Sequence, residues 1–159
     1  MKKADSPVVK DLVLLGGGHS HVAVLKRFGM KPLPGVRLTL ISRDVHTPYS
    51  GMLPGLIAGH YAFDDAHIDL ARLARFAGAR LYHAEANGLD LANRRVLFPD
   101  RPPVAYDLLS INIGITPHMG DVPGAAGEAT PVKPIDGFLG RWQRMSARVL
   151  EHEGPMRIA

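Results

Sequence analysis

The sequence of 159 residues predicts an α/β fold, in which helices flank a parallel β-sheet. A strand is predicted over residues 8–15, and its apolar end, residues 12–15, leads into three consecutive glycines. The glycines lead directly into a helical pattern over residues 19–28, with apolar residues on one face. A second apolar run over residues 36–41 is rich in residues typical of strands. Strand, helix and strand within about 30 residues form a right-handed βαβ unit with parallel strands.

The later elements are predicted from periodicity and from the positions of glycine and proline. Residues 42–61 contain several prolines and glycines, so we expect a long loop, and such loops in compact domains are mostly functional. A small antiparallel β insertion is expected where residues 89–91 and 95–98 flank a turn. The remaining expected elements are a helix over 69–77, strands over 80–86 and 106–113, a Pro/Gly-rich linker over 117–134 and a helix over 137–151.

The composition excludes several classes of protein and of site. The absence of cysteine excludes a disulfide scaffold, a cysteine-ligated zinc site and a redox-active cysteine pair within this chain. The net charge of +4 is modest and the basic residues are scattered, so we expect no nucleic-acid partner. No apolar run approaches the roughly 20 residues of a membrane span, and the prediction is a cytoplasmic protein without a transmembrane segment. His19 and His21 have no further ligand at a helical spacing, so no metal site is predicted.

The glycine run carries the most specific chemistry. Gly16-x-Gly18-x-x-His21 follows a predicted strand and precedes a predicted helix, which is the context of a turn that binds a dinucleotide pyrophosphate. Glycines let the backbone approach the phosphates, and the N–H groups and positive dipole end of the helix stabilise the anion. The third glycine of the usual pattern is replaced by His21. Two roles for it stay open: packing between helix and strand, or contact with phosphate or flavin.

The end of the second strand usually carries an acidic residue that binds the adenosine ribose. Here this position is Ser42, followed by Arg43 and Asp44. Ser42 can hydrogen-bond a ribose hydroxyl, and Asp44 can supply a carboxylate slightly later in the chain. Arg43 can meet a 2′-phosphate, which favours NADP, stack on an adenine, or be a solvated surface residue. The residues alone leave these alternatives open.

Three stretches carry a resemblance to a known family. Residues 46–61, HTPYSGMLPGLIAGHY, resemble the FAD-binding region of type II NADH dehydrogenase-like flavoproteins in the pyridine nucleotide-disulfide oxidoreductase superfamily. More narrowly, they and residues 130–139, TPVKPIDGFL, resemble the flavoprotein half fused to selenide, water dikinase in some bacteria. Residues 106–117, YDLLSINIGITP, align with the superfamily pattern Y-D-x-L-h-h-A-T-G-x-x-P, with Asn112 and Ile113 in place of Ala and Thr. The resemblance covers nearly the whole chain.

The resemblance implies a Rossmann-like FAD-binding domain over residues 1–155 and, at residues 156–159, the start of an NAD(P)-binding domain absent from the chain. The chain is therefore expected to be an N-terminal fragment that is inactive alone. The implied activity is an oxidoreductase that passes electrons from NAD(P)H through FAD to a quinone or another acceptor. The alternative is a non-catalytic nucleotide-binding module or the regulatory flavoprotein half of the dikinase fusion.

The resemblance also distributes the candidate residues over the cofactor. It implies that Asn112 and Gly114 lie near the FAD pyrophosphate and ribityl chain and that Ala86 meets the adenine. No catalytic acid, base or nucleophile is assigned, and both peripheral membrane contact and a homo-oligomer stay open. Residues 49–52 would lie beside the isoalloxazine ring. The predicted cofactor-binding residues are Gly16, Gly18, His19, Ser20, His21, Ser42, Arg43, Tyr49, Ser50, Gly51, Met52, Ala86, Asn112 and Gly114.

Overall fold

A computed structural model describes residues 7–114, 121–133 and 135–156. The chain divides into two compact units, Met1–Gly114 and Ile115–Ala159. The predicted domain limit at residue 155 stays a prediction. Residues 157–159, which belong to the expected start of an NAD(P)-binding domain, lie outside the described residues.

A four-stranded sheet organises the first unit, with strand order β5-β2-β1-β9 and every neighbouring pair parallel. The expected α/β fold with a parallel sheet is therefore confirmed. All four strands end at the same edge, because the carboxyl ends of parallel strands coincide. The strands are β1 (Lys10–Leu15), β2 (Val36–Ser42), β5 (Arg80–His83) and β9 (Leu108–Ile111).

Two helices cover one face of this sheet, α1 (His19–Met30) and α4 (Leu70–Phe76). Leu25 of α1 and Leu70 of α4 are almost fully buried and pack in one cluster with Leu14 and Leu40 of the sheet. Burying a leucine side chain of this kind contributes about 2 kcal/mol. This apolar layer fixes where α1 begins relative to the end of β1.

The opposite face is covered by a three-stranded antiparallel sheet of strand order β6-β7-β8. Val96 and Phe98 from this sheet pack against Val13 and Ile41 of the parallel sheet. The sequence predicted a two-stranded insertion, but the structure contains a third strand. This strand has only two residues and directly follows two prolines, so hydrophobic periodicity does not reveal it. The strands are β6 (Gly88–Asp90), β7 (Arg95–Leu97) and β8 (Val104–Ala105).

The expectation of an irregular loop over residues 42–61 is wrong. Short strand β3 pairs antiparallel with β4, and the chain between them forms a 3₁₀ turn and two short helices. Pro54 is tolerated because it lies in the first turn of α2, where N–H groups need no intrahelical acceptor. The elements are β3 (His46–Pro48), the 3₁₀ helix (Ser50–Met52), α2 (Leu53–Ile57), α3 (Phe63–Ala66) and β4 (His67–Asp69).

The described residues of the second unit form two helices, α5 (Ala125–Glu128) and α6 (Ile135–Glu151). The long helix starts two residues before the predicted position. The predicted linker over 117–134 contains α5, and its residues 117–120 and 134 lie outside the described part of the chain. Arg141 of α6 donates a hydrogen bond of 2.7 Å to the carbonyl of Pro131 within this unit.

An ion cluster lies at the amino end of the parallel sheet, opposite the strand ends described below. The Asp11 carboxylate accepts two hydrogen bonds from Arg37, and Arg80 lies 3.7 Å from it. The hydrogen bond from Arg37 is the main cause that holds the pKa of Asp11 below its ordinary value, against the opposing effect of burial. The cluster stabilises the pairing of β1 with β2 through the ionised carboxylate.

Replacing Asp11 with asparagine is expected to lower the free energy of unfolding near neutral pH. A carboxyl whose pKa is depressed by folding stabilises the fold above its unfolded pKa of about 4, and this contribution disappears as the pH falls through the folded pKa. Urea unfolding of both proteins from pH 7 to pH 2 measures it. The difference between them should shrink below about pH 4, and a difference independent of pH would contradict this explanation.

Candidate functional site

The loop between β1 and α1 consists of the three glycines, and its shape depends on them. Gly16 has φ +98°, a conformation that residues with a Cβ rarely adopt. Its N–H donates to the carbonyl of Ile41 at 2.7 Å. A Cβ at Gly16 would overlap the backbone carbonyl of Asn112. The chain can therefore pass between β2 and β9 at this point only as glycine.

The other two glycines allow close contacts on either side of the loop. A Cβ at Gly17 would lie 2.5 Å from Leu70 Cδ1 and 3.0 Å from Ser42 Oγ. A Cβ at Gly18 would overlap the side-chain amide of Asn112. Sequence reasoning singled out Gly16 and Gly18 but missed Gly17, because the motif treats this position as variable. Glycine is required at position 17 because the side chain of Leu70, which is far away in the sequence, lies against it.

The amino end of α1 begins at this loop and carries no acidic group of its own. Gly18 is the N-cap and provides no side-chain hydrogen bond, and there is no acidic residue in the first turn. His19 and Ser20, the first two helical residues, are exposed. The first N–H groups of a helix lack intrahelical acceptors, and the helix dipole adds positive potential there. The arrangement favours an anion.

The end of β9 lies against the glycine loop. The Asn112 N–H donates to the Leu15 carbonyl at 2.8 Å, and the Asn112 carbonyl accepts from the Gly18 N–H at 3.2 Å. Gly114 follows with φ +80°. The structure therefore brings Asn112 together with Gly16 and Gly18, and the contact of Asn112 with a cofactor stays a prediction. Thr116 and Pro117 of that aligned stretch lie outside the described residues.

The end of β2 lies on the other side of the loop. Ser42 is 5% exposed and its hydroxyl borders Gly17. Arg43 and Asp44 are about half exposed and pair with each other, with Arg43 Nη2 2.8 Å from Asp44 Oδ2. The carboxylate is therefore near the strand end but engaged with the neighbouring guanidinium. The alternatives for Arg43 stay predictions.

Residues 49–52 reach the same region through one ring contact. The Tyr49 ring, 51% exposed, lies edge-on to the His19 ring with 5.5 Å between centroids. A Cβ at Gly51 would lie 3.2 Å from the Tyr49 ring, so glycine keeps that face of the tyrosine uncrowded. Ser50 is exposed and Met52 is half-buried in the 3₁₀ turn. The fold thus places this segment beside the start of α1.

Ala86 lies in the connection that follows β5. It is half-buried against the apolar cluster between the two sheets. The neighbouring Ala84 N–H donates to the Ser42 carbonyl at 3.0 Å, which links this connection to the end of β2. Ala86 therefore follows the same sheet edge as the glycine loop, and its contact with an adenine stays a prediction.

His21 is turned into the protein. Its side chain is 1% exposed, Nδ1 lies 2.7 Å from the Gly16 carbonyl oxygen, and Nε2 lies 2.9 Å from Ser110 Oγ. Of the two roles left open by the sequence, packing between helix and strand is the one that this geometry matches. Sequence reasoning did not single out Ser110. The available signal was a polar residue on the α1 side of an otherwise apolar strand.

A separate open groove of about 540 Å³ lies away from the glycines. Asp69 accepts a hydrogen bond from the Arg72 N–H at 2.9 Å and caps α4, which holds the pKa of this carboxyl below its ordinary value. No group of three His, Asp or Glu side chains among the described residues could hold a metal ion. The groove is lined by His46, Asp64, His67, Ile68, Asp69, Arg72, Leu73 and Phe76.

In the ranges that the structure describes, no helix combines the length and the apolar character that crossing a bilayer requires.

Comparison with known sequences gives an informative relative. No family model matches the chain. The chain is 29% identical over 143 residues to the NADH dehydrogenase-like protein YutJ of Bacillus subtilis (strain 168). The match covers 87% of this chain and 38% of that protein. The chain therefore spans well under half the length of this relative.

Comparison with solved structures supports the fold. The sulfide:quinone oxidoreductase of Aquifex aeolicus matches with a TM-score of 0.70 and 22% identity, over 90% of this chain and 33% of that one. NDH2 of Plasmodium falciparum, solved in complex with NADH, matches with a TM-score of 0.67 and 18% identity, over 91% of this chain and 31% of that one. The chain corresponds to about a third of each. Both findings agree with the broader predicted resemblance at the level of fold.

Proposed function

We propose that this chain forms the FAD-binding part of an NAD(P)H-dependent flavoprotein oxidoreductase. One observation carries the proposal: the uncapped amino end of α1 meets a three-glycine loop at the carboxyl end of β1. In open α/β sheets, ligands bind outside the carboxyl ends of the strands, and a pyrophosphate fits a helix amino end reached through glycines. The relative named NADH dehydrogenase-like supports the interpretation as a flavoprotein over the interpretation as another kind of dinucleotide-binding protein.

The loop and the first turn of α1 would hold the pyrophosphate. The absence of an acid in the first turn leaves the positive end of the helix uncompensated. Gly16 and Gly18 let the backbone come close, and Asn112 adds an amide side chain on the same side as Gly18. His19 and Ser20 are exposed at this end and contribute N–H donors.

The adenosine half would lie toward β2 and β5. Ser42 borders the loop and offers a hydroxyl to a ribose, although its low exposure limits its reach. Asp44 offers a carboxylate once its pairing with Arg43 rearranges, since both side chains are half exposed. Ala86, after β5, would provide backbone contacts to the adenine. Small side chains suit that role because the backbone must approach a flat ring.

The isoalloxazine ring would lie beside residues 49–52. When bound, a flavin accepts hydride from a nicotinamide and passes electrons onward, and the protein holds and tunes it. Gly51 and the exposed Tyr49 leave room and a flat surface for such a ring. Because this chain contains no cysteine, it has no disulfide relay next to that segment, and electrons would leave directly from the flavin.

The rest of the reaction is proposed for parts of the protein beyond this chain. YutJ is named NADH dehydrogenase-like, and this chain spans 38% of it. We assign nicotinamide binding to the remaining length that such relatives have. The proposed electron acceptor is a quinone or another small molecule. The likeness to the dikinase-fused flavoprotein, the cytoplasmic location, peripheral membrane contact and a homo-oligomer stay predictions.

Anaerobic reduction of the full-length protein tests the proposed function. The protein reconstituted with FAD should absorb at about 450 nm, and this absorbance should bleach when NADH or NADPH is added. Adding a soluble quinone should restore the absorbance. Bound FAD that neither nucleotide reduces would point to the non-catalytic module instead, and a protein that takes up no flavin would contradict the proposal.

A further inference from the structure

We infer that His21 is a positioning residue for the pyrophosphate-binding loop: its imidazole holds the Gly16 carbonyl inward and thereby directs the Gly17 N–H outward. The inference rests on the proposed function, since it assigns the ligand of that loop. It gives a role to the one residue that departs from the glycine pattern. In this role His21 itself touches no ligand.

The contacts of the imidazole define which nitrogen carries a proton. A carbonyl oxygen only accepts, so the nitrogen 2.7 Å from the Gly16 oxygen, Nδ1, must be the donor. In the neutral ring Nε2 then accepts from the Ser110 hydroxyl at 2.9 Å. The ring is thus held at both ends, by the loop and by β9. A glycine at position 21 would leave the buried Gly16 carbonyl without this donor.

The geometry of the peptide bond transmits this contact to the loop. The Gly16 carbonyl and the Gly17 N–H belong to one planar trans peptide unit, so they point in opposite directions. Fixing the oxygen toward His21 therefore fixes the direction of the Gly17 N–H. That N–H makes no hydrogen bond to another residue in the described part of the chain. It remains a donor for an anion in front of the loop.

The conformational freedom of the glycine run explains why a side chain is needed to hold the Gly16 carbonyl. Gly16 has φ +98° and is followed by two further glycines, so its backbone has more freedom than any other triplet would allow. The flanking hydrogen bond from the Gly16 N–H to the Ile41 carbonyl fixes only one side of the residue. His21, the third residue of α1, fixes the carbonyl side.

Two amide variants separate the proposed role from simple packing. In His21→Asn, the amide nitrogen can occupy the place of Nδ1 and keep the donor to Gly16. In His21→Gln, the longer side chain reaches the place of Nε2 and loses that donor. Leu25→Val is the matched control, because it loosens the buried face of the same helix without touching the loop. FAD is titrated into each flavin-free full-length protein, with the apo melting temperature measured alongside.

We expect His21→Gln to weaken FAD binding about 10-fold, and His21→Asn and Leu25→Val to stay within about threefold of wild type. The ³¹P resonances of the bound FAD pyrophosphate should shift in His21→Gln and not in Leu25→Val. If His21→Gln does not fold, Ser110→Ala replaces it, since Ser110 is exposed and its loss should shift the same resonances.

Equal FAD affinity in the Asn and Gln variants, or unshifted ³¹P resonances, would overturn the inference. So would a loss in Leu25→Val as large as the loss in His21→Gln, because affinity would then follow stability. A wild-type protein that binds no FAD would instead refute the proposed function, which keeps the two failures apart.

Discussion

Replacing Gly16 with alanine is expected to destabilise the fold by more than about 3 kcal/mol. An alanine at φ +98° carries backbone strain of about 1–2 kcal/mol, and its Cβ would overlap the Asn112 carbonyl, which belongs to the backbone of β9. Relief of that overlap requires β1 and β9 to separate at the strand ends. Urea unfolding of the purified protein measures the loss.

Gly78→Ala is the matched control. Gly78 also has a left-handed conformation, with φ +63°, but nothing lies within 4 Å of its Cβ position. We expect a cost of about 1 kcal/mol from strain alone. If both substitutions cost the same, the close approach between the Gly16 loop and Asn112 is not the reason for the glycine.

Ser20→Glu is expected to affect stability and FAD binding in opposite directions. A carboxylate in the first turn of α1 interacts favourably with the helix dipole, so the flavin-free protein should gain about 0.3–1 kcal/mol. The same carboxylate would repel the pyrophosphate. The affinity for FAD should fall about 30-fold, or about 2 kcal/mol. Thermal unfolding without FAD and titration with FAD measure the two effects.

Ser20→Gln controls for the size of the new side chain and should leave the affinity for FAD within about threefold of wild type. The difference between the Glu and Gln variants should shrink as the salt concentration rises, because the site is exposed to solvent. Unchanged affinity in Ser20→Glu would mean that no anion binds at the amino end of α1.

The βαβ unit could be predicted because local and tertiary preferences agree there. Residues 12–15 are apolar on both faces, as a central parallel strand requires, and the glycines stand where strand, turn and helix meet. Gly16 and Gly18 could be named because the motif fixes their spacing. The physical reason for glycine at these two positions is contact with Asn112. This reason was not visible in the sequence, since Asn112 is nearly a hundred residues away in the chain.

The rest of the site depends on contacts that no local pattern reveals. Prolines and glycines between 42 and 61 suggested a loop, yet they fit short helices and the pairing of β3 with β4. His21 was ambiguous because its two partners, Gly16 and Ser110, are set by the position of β9 beside β1. That position is determined by the parallel pairing of strands that are distant in the chain. No local pattern in a single sequence indicates which strands pair.

Titration of the flavin-free full-length protein with FAD and with FMN tests whether the glycine loop and the amino end of α1 bind a pyrophosphate. FMN carries the isoalloxazine ring and a phosphate but lacks the pyrophosphate bridge and the adenosine half. If the glycine loop and the amino end of α1 bind the pyrophosphate, one FAD should bind per chain, at least about 100-fold more tightly than FMN. Equal affinity for FAD and FMN, or binding of neither, would mean that the glycine loop does not bind the pyrophosphate of FAD.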